Sequence, residues 1–239
     1  MRTLISLLLV LVVALGVFSA LRTGPVGAEA ARRRGELRED RVNFGRYYDA
    51  HALEQTGAAN VVTSVVITYR GLDTLGEVTV LFIAALGLAA VLSAPGKKRE
   101  DSGREPASLV VHTGCRFLFP LIVLFGTYVF VHGHLTPGGG FQGGAIIASG
   151  LVLIALGCRE REPAQARLSV VESFSGLFFV VMGLAGLVVG GSFLVNFLPA
   201  GTAFALFSAG VIPLIYVAIG LKVGSELGGI VGNLAGEAE

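Results

Sequence analysis

Long apolar runs are the feature that most constrains the fold of this chain. A helix needs roughly 20 mainly apolar residues to cross the hydrocarbon core of a bilayer, and several runs reach or approach that length with few or no charges. The predicted spans are 3–21, 72–93, 108–131, 141–158, 169–196 and 203–234. The sequence therefore predicts an all-α, polytopic membrane protein with about six transmembrane helices, arranged as two followed by four.

Composition supports this class and excludes others. Of the 239 residues, 53% are hydrophobic and only 15% are charged, whereas a soluble domain carries about 25% charged residues. The formal net charge is +1, so no bulk electrostatic attraction to nucleic acid is expected.

The first apolar run has two interpretations. Arg2, the run that follows it, and the small residues Val26-Gly27-Ala28 before Glu29 are typical of a cleaved signal peptide. The run is longer than the apolar part of a typical signal peptide, so we expect a retained span.

Polar segments divide the chain into two blocks. Residues 22–59 mix basic and acidic side chains and are expected to form a solvated loop, followed by a short interfacial helix at 60–70. The linker 94–108 separates a two-span module, 1–95, from a four-span module, 108–239.

Basic residues in the short loops predict the orientation. Lys97, Lys98, Arg99 and Arg104 lie between the second and third predicted spans, and Arg159, Arg161 and Arg167 between the fourth and fifth. Basic loops stay in the cytoplasm, so both termini are predicted to be cytoplasmic. The uncharged turn 197–202 is then outside. The Arg-rich loop 22–46 is also placed outside, which conflicts mildly with the rule.

Cysteine usage argues against a redox or metal centre in this chain. Cys115 and Cys158 are isolated from each other in sequence, whereas iron–sulfur and zinc sites need clustered thiolates. We expect both to be buried, free thiols, and no cofactor or metal to be bound.

Ionisable residues inside predicted spans are the main functional signal, because each is costly in hydrocarbon unless paired or hydrated. Asp73 and Glu77 are four residues apart and share one helix face. Two neighbouring carboxylates can hold a proton or give oxygen ligands to Na⁺. Alternatively, Asp73 caps its helix and Glu77 lies in the first turn, where acidic residues suit the helix dipole.

A second pair lies in the last predicted span. Lys222 and Glu226 are also four residues apart, and they form either a self-neutralising structural pair or one step of a proton relay. Glu172, near the start of the fifth predicted span, is expected to be a helix N-terminal acid.

Glycines repeat every fourth residue along the last span. Such stripes let another helix approach closely, although the pattern does not say which chain supplies that helix. The stripe comprises Gly220, Gly224, Gly228, Gly232 and Gly236. Gly140, Gly144 and Ala148 repeat the pattern in the fourth span.

A proline–glycine break separates the third and fourth spans. Proline prevents the helix from continuing and glycine permits sharp backbone conformations, while histidine titrates near neutral pH. The residues are His132, His134, Thr136, Pro137, Gly138, Gly139, Gly140, Phe141 and Gln142. The break is either a plain turn or the wall of a polar cavity in which the histidines relay protons.

Two motifs in the second block resemble those of a known family. HGHLTPGGGFQGG (132–144) and GLKVGSELGG (220–229) are similar to motifs of the B subunit of Mrp-type multisubunit cation/proton antiporters, over about residues 108–235. In the first block, NVVTSVVITYRGLDTLGEVTVLFIAALG (60–87) resembles a segment near the C-terminal end of the antiporter A subunit. The same segment occurs as a small separate subunit of membrane-bound hydrogenases and sulfur-reducing relatives.

The resemblance implies a subunit of an ion-translocating assembly. It places Asp73 and Glu77 along a proposed sodium pathway, and it implies other membrane subunits as partners, Na⁺ and H⁺ as transported ions and a location in the prokaryotic cell membrane. The large proton channel of the A subunit has no counterpart here. Three functions follow as alternatives: an antiporter subunit, the ion-pumping arm of a hydrogenase or sulfur-reducing complex, or a purely structural assembly subunit.

Overall fold

A computed structural model describes residues 44–92, 108–158 and 165–237. These ranges form helices joined by non-helical connections, and they contain no strand. The helices are α1 (Phe44–Thr56), α2 (Val61–Thr63, continuing as a π-helical segment, Ser64–Tyr69), α3 (Gly71–Leu92), α4 (Leu109–Val131), α5 (Gly140–Gly157), α6 (Gln165–Gly190) and α7 (Ile212–Glu237). The first predicted span, 3–21, and the linker 94–107 lie outside the described residues.

Five of these helices, α3 to α7, are long and apolar enough to cross a membrane. This confirms the predicted class, an all-α polytopic membrane protein. The bounds of α3, α4 and α5 lie within one or two residues of the predicted spans, because in each case the apolar run and the helix end together.

The predicted bounds of the last two spans are wrong. Helix α6 ends at Gly190 instead of 196, and α7 begins at Ile212 instead of 203. The connection 191–211 is apolar but non-helical, and Leu194, Phe204 and Ala209 have positive φ angles within it. Left-handed residues interrupt a helix whatever their hydrophobicity, which is why hydropathy alone overestimates both spans.

Asn196 satisfies backbone groups of this connection. Its side-chain amide lies 3.3 Å from the carbonyl oxygens of Thr56 and Ala209, and its Oδ1 accepts a hydrogen bond from the backbone N–H of Val211 at 3.0 Å. A polar side chain thus replaces the missing helical hydrogen bonds in an apolar segment.

The prediction of a loop throughout 22–59 is also wrong, because α1 occupies residues 44–56. One side of α1 packs against the π-helical segment. Ala52 and Thr56 are buried, and the Thr56 and Ser64 hydroxyls are hydrogen-bonded at 2.7 Å. The predicted helix at 60–70 is present, and Ser64 and Ile67 are buried within the protein.

Helix α7 is the centre of the bundle. It packs against α3, α4, α5 and α6, and these contacts bury most of its apolar face. Its buried residues include Ile212, Ile215, Tyr216, Ile219 and Val223. A helix surrounded on most sides is where charged side chains are most strongly shielded from lipid.

Four glycines of the α7 stripe, Gly220 to Gly232, face other helices of the same chain. A Cβ added at Gly144 on α5 would lie 2.8 Å from the carbonyl oxygen of Gly220 on α7, and one at Gly220 would lie 2.5 Å from the ring of Phe130 on α4. The next glycines along α7 continue the contact, with Gly224 against α5, Gly228 against Leu151 and Gly232 against Gln165. The close approach typical of small-residue stripes is therefore made within this chain.

Candidate functional site

Lys222 and Glu226 form an ion pair inside the bundle. They are one turn apart on α7, and Nζ of Lys222 lies 3.5 Å from Oε2 of Glu226. Glu226 is 1% exposed and Lys222 7%. Lys222 is ten residues after the start of α7, which at 1.5 Å per residue places it about 15 Å along the helix, near the middle of a bilayer core of about 30 Å.

Glu172 brings a second carboxylate to the same lysine. Its Oε1 lies 3.7 Å from Nζ of Lys222, and its side chain is 20% exposed. The expectation that Glu172 is a helix N-terminal acid is wrong, because α6 begins at Gln165, about two turns earlier. Glu172, Lys222 and Glu226 are called the charged triad below.

An aromatic ring and a glycine adjoin the lysine of the charged triad. The Phe82 ring on α3 lies 4.9 Å from Nζ of Lys222, in the range of a cation–π contact. Gly176 on α6 leaves space along the lysine side chain, since a Cβ added there would lie 3.4 to 3.8 Å from Cδ, Cε and Nζ. Neither carboxylate oxygen of Glu226 has a hydrogen-bond partner.

This lack of hydrogen bonds makes the Glu226 carboxylate unusual. Buried carboxylates in a static structural role are paired and hydrogen-bonded, because an incompletely satisfied charge is destabilising in a low dielectric. With all three groups ionised, the charged triad holds two negative charges and one positive charge. It can therefore accept one positive charge.

The proline–glycine break lies between α4 and α5. Helix α4 ends at Val131 and α5 begins at Gly140. Gly139 has a φ of +152°, which favours glycine. Pro137 is exposed, whereas Gly133 and His134 are buried. The break ends one span and begins the next, with most of its backbone enclosed by protein.

Asn60 holds the backbone of the break. Its side-chain amide donates hydrogen bonds to the carbonyl oxygens of Gly133 at 2.9 Å and Thr136 at 3.0 Å. Its backbone N–H donates to the carbonyl oxygen of His134 at 3.1 Å. Non-helical backbone at membrane depth needs such partners, and here they come from the residue that also caps α2.

Thr63 and Tyr216 extend this support. The Thr63 hydroxyl donates to the carbonyl oxygen of Gly133 at 2.7 Å, and the Tyr216 hydroxyl donates to Oγ1 of Thr63 at 2.8 Å. No sequence pattern singled out Asn60, Thr63 or Tyr216 for this role. Their partners are at least 70 residues away along the chain, so no local pattern could have revealed it.

The two histidines of the break have different surroundings. His132 is half-buried, and its ring stacks on that of Tyr128 at 4.2 Å. His134 is fully buried; its Nε2 lies 3.5 Å from the carbonyl oxygen of Ala205, and its Nδ1 has no hydrogen-bond partner. Burial lowers the pKa of His134, because the protonated ring loses hydration. A proton-relay role for either histidine stays a prediction.

Phe141 and Gln142, which complete the break, point to different environments. Phe141 is partly buried and packs against the hydrophobic core, whereas Gln142 is exposed. Neither contributes a charge to the charged triad.

Asp73 and Glu77 do not join the charged triad. Both are exposed on α3. Asp73 lies in the first turn of that helix, where Nε of Arg70 donates to its Oδ2 at 2.6 Å. The side chain of Glu77 forms no ion pair or hydrogen bond within the described part of the chain. The two carboxylates thus lie on a surface that this chain leaves open, and their role as a cation site stays a prediction.

The two cysteines lie outside the charged triad, and the described residues add no metal-ligand cluster to it. Cys115 and Cys158 are buried, free thiols, as predicted. Across residues 44–92, 108–158 and 165–237 there is no group of three or more His, Cys, Asp or Glu residues placed to hold a metal ion.

Comparison with models of known protein families shows which family this chain belongs to. A family described as a domain related to the MnhB subunit of Na⁺/H⁺ antiporters matches residues 110–229, about half of the chain. The chain belongs to this MnhB-related family. A second family, described as the E subunit of MBH, matches residues 37–103.

Two individual proteins are similar to this chain. An uncharacterized protein of Methanocaldococcus jannaschii is 33% identical over 193 residues, which cover 69% of this chain and 72% of the relative. The B subunit of the Na⁺/H⁺ antiporter of Alkalihalophilus pseudofirmus is 35% identical over 92 residues, covering 37% of this chain and 64% of that relative.

Two solved structures share the fold. A chain of an archaeal membrane-bound sulfane sulfur reductase, a respiratory membrane complex, matches with a TM-score of 0.74 and 43% identity, covering 98% of this chain and 97% of that chain. A chain of the Mrp complex from Dietzia sp. DQ12-45-1b matches with a TM-score of 0.70 and 30% identity, covering 99% of this chain but only 26% of that one.

Proposed function

We propose that this chain is a membrane subunit of a multisubunit monovalent cation/proton antiporter-type module and forms part of its ion-translocation path. The observation that carries the proposal is the charged triad of Glu172, Lys222 and Glu226, which lies inside a membrane-spanning bundle. Neither oxygen of the buried Glu226 carboxylate has a hydrogen-bond partner. Ionisable groups at such depth are costly, and where they persist they mark ion or proton pathways.

Its partners are other membrane subunits of an antiporter or complex-I-like assembly, together with the lipid bilayer. The transported ions are Na⁺ and H⁺. The chain itself catalyses no covalent reaction, holds no cofactor and binds no nucleic acid.

Asp73 and Glu77 supply the cation side of the path in this proposal. Their exposure on α3 supports a position where a neighbouring subunit completes the ligand set, since the Glu77 carboxylate has no ion-pair partner in the described part of the chain and such a group facing lipid is costly. Replacement of Glu77 by Gln should then reduce Na⁺-dependent transport in membrane vesicles. Full Na⁺-dependent activity in that variant would contradict this assignment.

The proposed location is the prokaryotic cell membrane, with the basic loops 94–107 and 159–164 in the cytoplasm. Because α3, α4, α5, α6 and α7 cross in alternation, the C-terminus lies on the same side as these loops. A retained first span places the N-terminus there too. Cysteine labelling from outside at an introduced site in 197–202, but not in 94–107, would support this orientation.

A second candidate is the ion-pumping membrane arm of a respiratory complex. It is favoured by the full-length match to a chain of the sulfane sulfur reductase, whereas the Dietzia Mrp chain matches over only 26% of its length. In this case electron transfer in other subunits, rather than a pre-existing ion gradient alone, would drive transport through the same path.

Mild-detergent purification through a tag on this chain, with identification of every co-purifying subunit, tests the proposal. Antiporter subunits alone would support the antiporter, and additional iron–sulfur subunits would support the respiratory arm. The purified complex is then reconstituted into liposomes to measure proton movement on addition of Na⁺. Absence of membrane partners and of any Na⁺-dependent proton movement would contradict both candidates.

A further inference from the structure

The ammonium group of Lys222 lies between two carboxylates of the charged triad. Nζ of Lys222 is almost equidistant from the two carboxylates, at 3.5 Å from Glu226 and 3.7 Å from Glu172. Neither distance is that of a short charge-assisted hydrogen bond, which is about 2.7 to 2.9 Å. The lysine is therefore shared between two acids and held tightly by neither.

The two acids differ in access. Glu226 is enclosed, with a side-chain exposure of 0%, whereas Glu172 is 20% exposed. One carboxylate lies at a closed inner position and the other at an outer position, with the lysine between them. Gly176, one turn after Glu172 on α6, leaves the side of the lysine free of any Cβ.

We propose that the charged triad takes up one proton and no metal cation, with Lys222 moving between Glu226 and Glu172 as that proton binds and leaves. This proposal rests on the proposed function and assigns the cargo of this particular site. The lysine ammonium already occupies the position between the carboxylates that a metal cation would need, and hard cations require a shell of several oxygen ligands.

The proton step balances in charge. With all groups ionised, the charged triad has a net charge of −1. A proton added to one oxygen of Glu226 gives a neutral carboxyl group, and the ammonium of Lys222 then pairs with Glu172, so the net charge is zero. Loss of that proton restores the Glu226 carboxylate, and the ammonium returns to it.

Other charged groups on the helices around α7 do not enter this balance. Helix α5 has no Asp, Glu, Lys, Arg or His. On α6, Arg167 lies in the first turn and forms no ion pair with the charged triad. His112 and Arg116 on α4 form none with it either, and on α3 neither Asp73 nor Glu77 does. The π-helical segment contributes only the Tyr69 phenol.

The test measures Na⁺-dependent proton flux of the intact complex in liposomes, as a function of Na⁺ concentration and pH. Glu226→Gln should lower the maximal flux by about a hundredfold, the lower range for loss of a proton-transfer group, with the half-saturating Na⁺ concentration unchanged. A several-fold rise in that concentration would show that the site binds Na⁺ and would overturn the proposal. Unchanged flux would overturn it as well.

Glu172→Gln gives an independent result, because it removes a partly exposed charge and leaves Glu226 in place. Without that negative charge, Lys222 pairs with Glu226 alone and proton uptake needs a lower pH. The flux–pH profile should therefore shift to lower pH. A profile identical to that of the native complex would contradict the proposal, and this variant decides the question even when Glu226→Gln fails to assemble.

Gly176→Val restricts the lysine without changing any charge. Gly114→Val on α4 is the matched control, since a Cβ there has no atom of this chain within 4 Å. Reduced flux in the first variant and native flux in the second are expected. A native complex with no Na⁺-dependent proton flux at all would instead count against the proposed function.

Discussion

The hydroxyl of Tyr216 donates a hydrogen bond to Oγ1 of Thr63 at 2.8 Å, joining segments 153 positions apart in the sequence. Thr63 in turn donates to the carbonyl oxygen of Gly133. The central helix α7, the π-helical segment with its short α2 lead-in, and the proline–glycine break are thus tied together by one short chain of hydrogen bonds. Buried polar chains of this kind stabilise a fold only when every member is satisfied.

Substitutions at the two side chains of this hydrogen-bond chain, Tyr216 and Thr63, should have unequal effects. Tyr216→Phe loses one hydrogen bond and should lower the free energy of unfolding by about 1 kcal/mol. Thr63→Val loses two and leaves the buried Tyr216 hydroxyl unpaired, at about 1–3 kcal/mol. Both effects are measured by heating the purified complex and using size-exclusion chromatography to find the temperature at which half of it remains intact. Equal midpoints for Thr63→Val and the native complex would contradict this ranking.

Asn60 should be the most sensitive of the residues that hold the backbone of the break. Asn60→Ala removes two amide donors and the cap of α2, and a loss of about 2–3 kcal/mol is expected. Asn60→Asp keeps the oxygen that accepts from Val62 N–H but replaces the donors by a charge facing two carbonyl oxygens. It should be at least as destabilising in the same thermal assay. Recovery of native stability in Asn60→Asp would show that only the cap matters.

The glycines differ in what they tolerate. Gly144→Ala places a methyl group 2.8 Å from the carbonyl oxygen of Gly220 and from Val223, and such overpacking costs about 1–3 kcal/mol. Gly87→Ala on α3 meets no atom of this chain within 4 Å and should be neutral or stabilising by up to about 1 kcal/mol. Thermal stability of each variant measures this contrast. Equal destabilisation of both would contradict the packing described for α5 and α7.

His134 should make stability depend on pH. Its pKa in the folded protein lies below the ordinary 6.5 because the ring is buried, so as the pH falls through about 6.5 the unfolded state binds a proton that the folded state does not. Stability contributed by the neutral ring is therefore lost on acidification, by at most about 1.4 kcal/mol per pH unit. In the His134→Gln variant the thermal midpoint should change less between about pH 7 and about pH 5 than in the native protein. An unchanged slope would contradict this.

Much of the bundle could be predicted from the sequence, and particular residues show why. Ser108 and Gly140 flank apolar runs that coincide with helices, so α4 and α5 were predicted within a residue. The non-helical connection 191–211 was not predicted, because Leu194, Phe204 and Ala209 are apolar residues with positive φ angles. Hydropathy measures transfer into hydrocarbon and carries no information about φ.

The candidate site was predicted only where its residues are close in sequence. The spacing of Lys222 and Glu226 places them on one face of a helix, and the structure shows that pair. Glu172 reaches the same lysine from another helix 50 positions earlier, a contact set by the packing of α6 against α7. Its place near the start of the predicted span 169–196 favoured a helix N-terminal position instead, whereas the helix begins at Gln165.

Replacement of Lys222 by Met tests the central claim, that this chain forms part of an ion path. Met has a similar length and no charge, and the two acids can each take up a proton and remain neutral, so the complex should assemble with the same subunits. Na⁺-dependent proton flux in liposomes should then fall by about a hundredfold. Full native flux from a fully assembled Lys222→Met complex would contradict the claim.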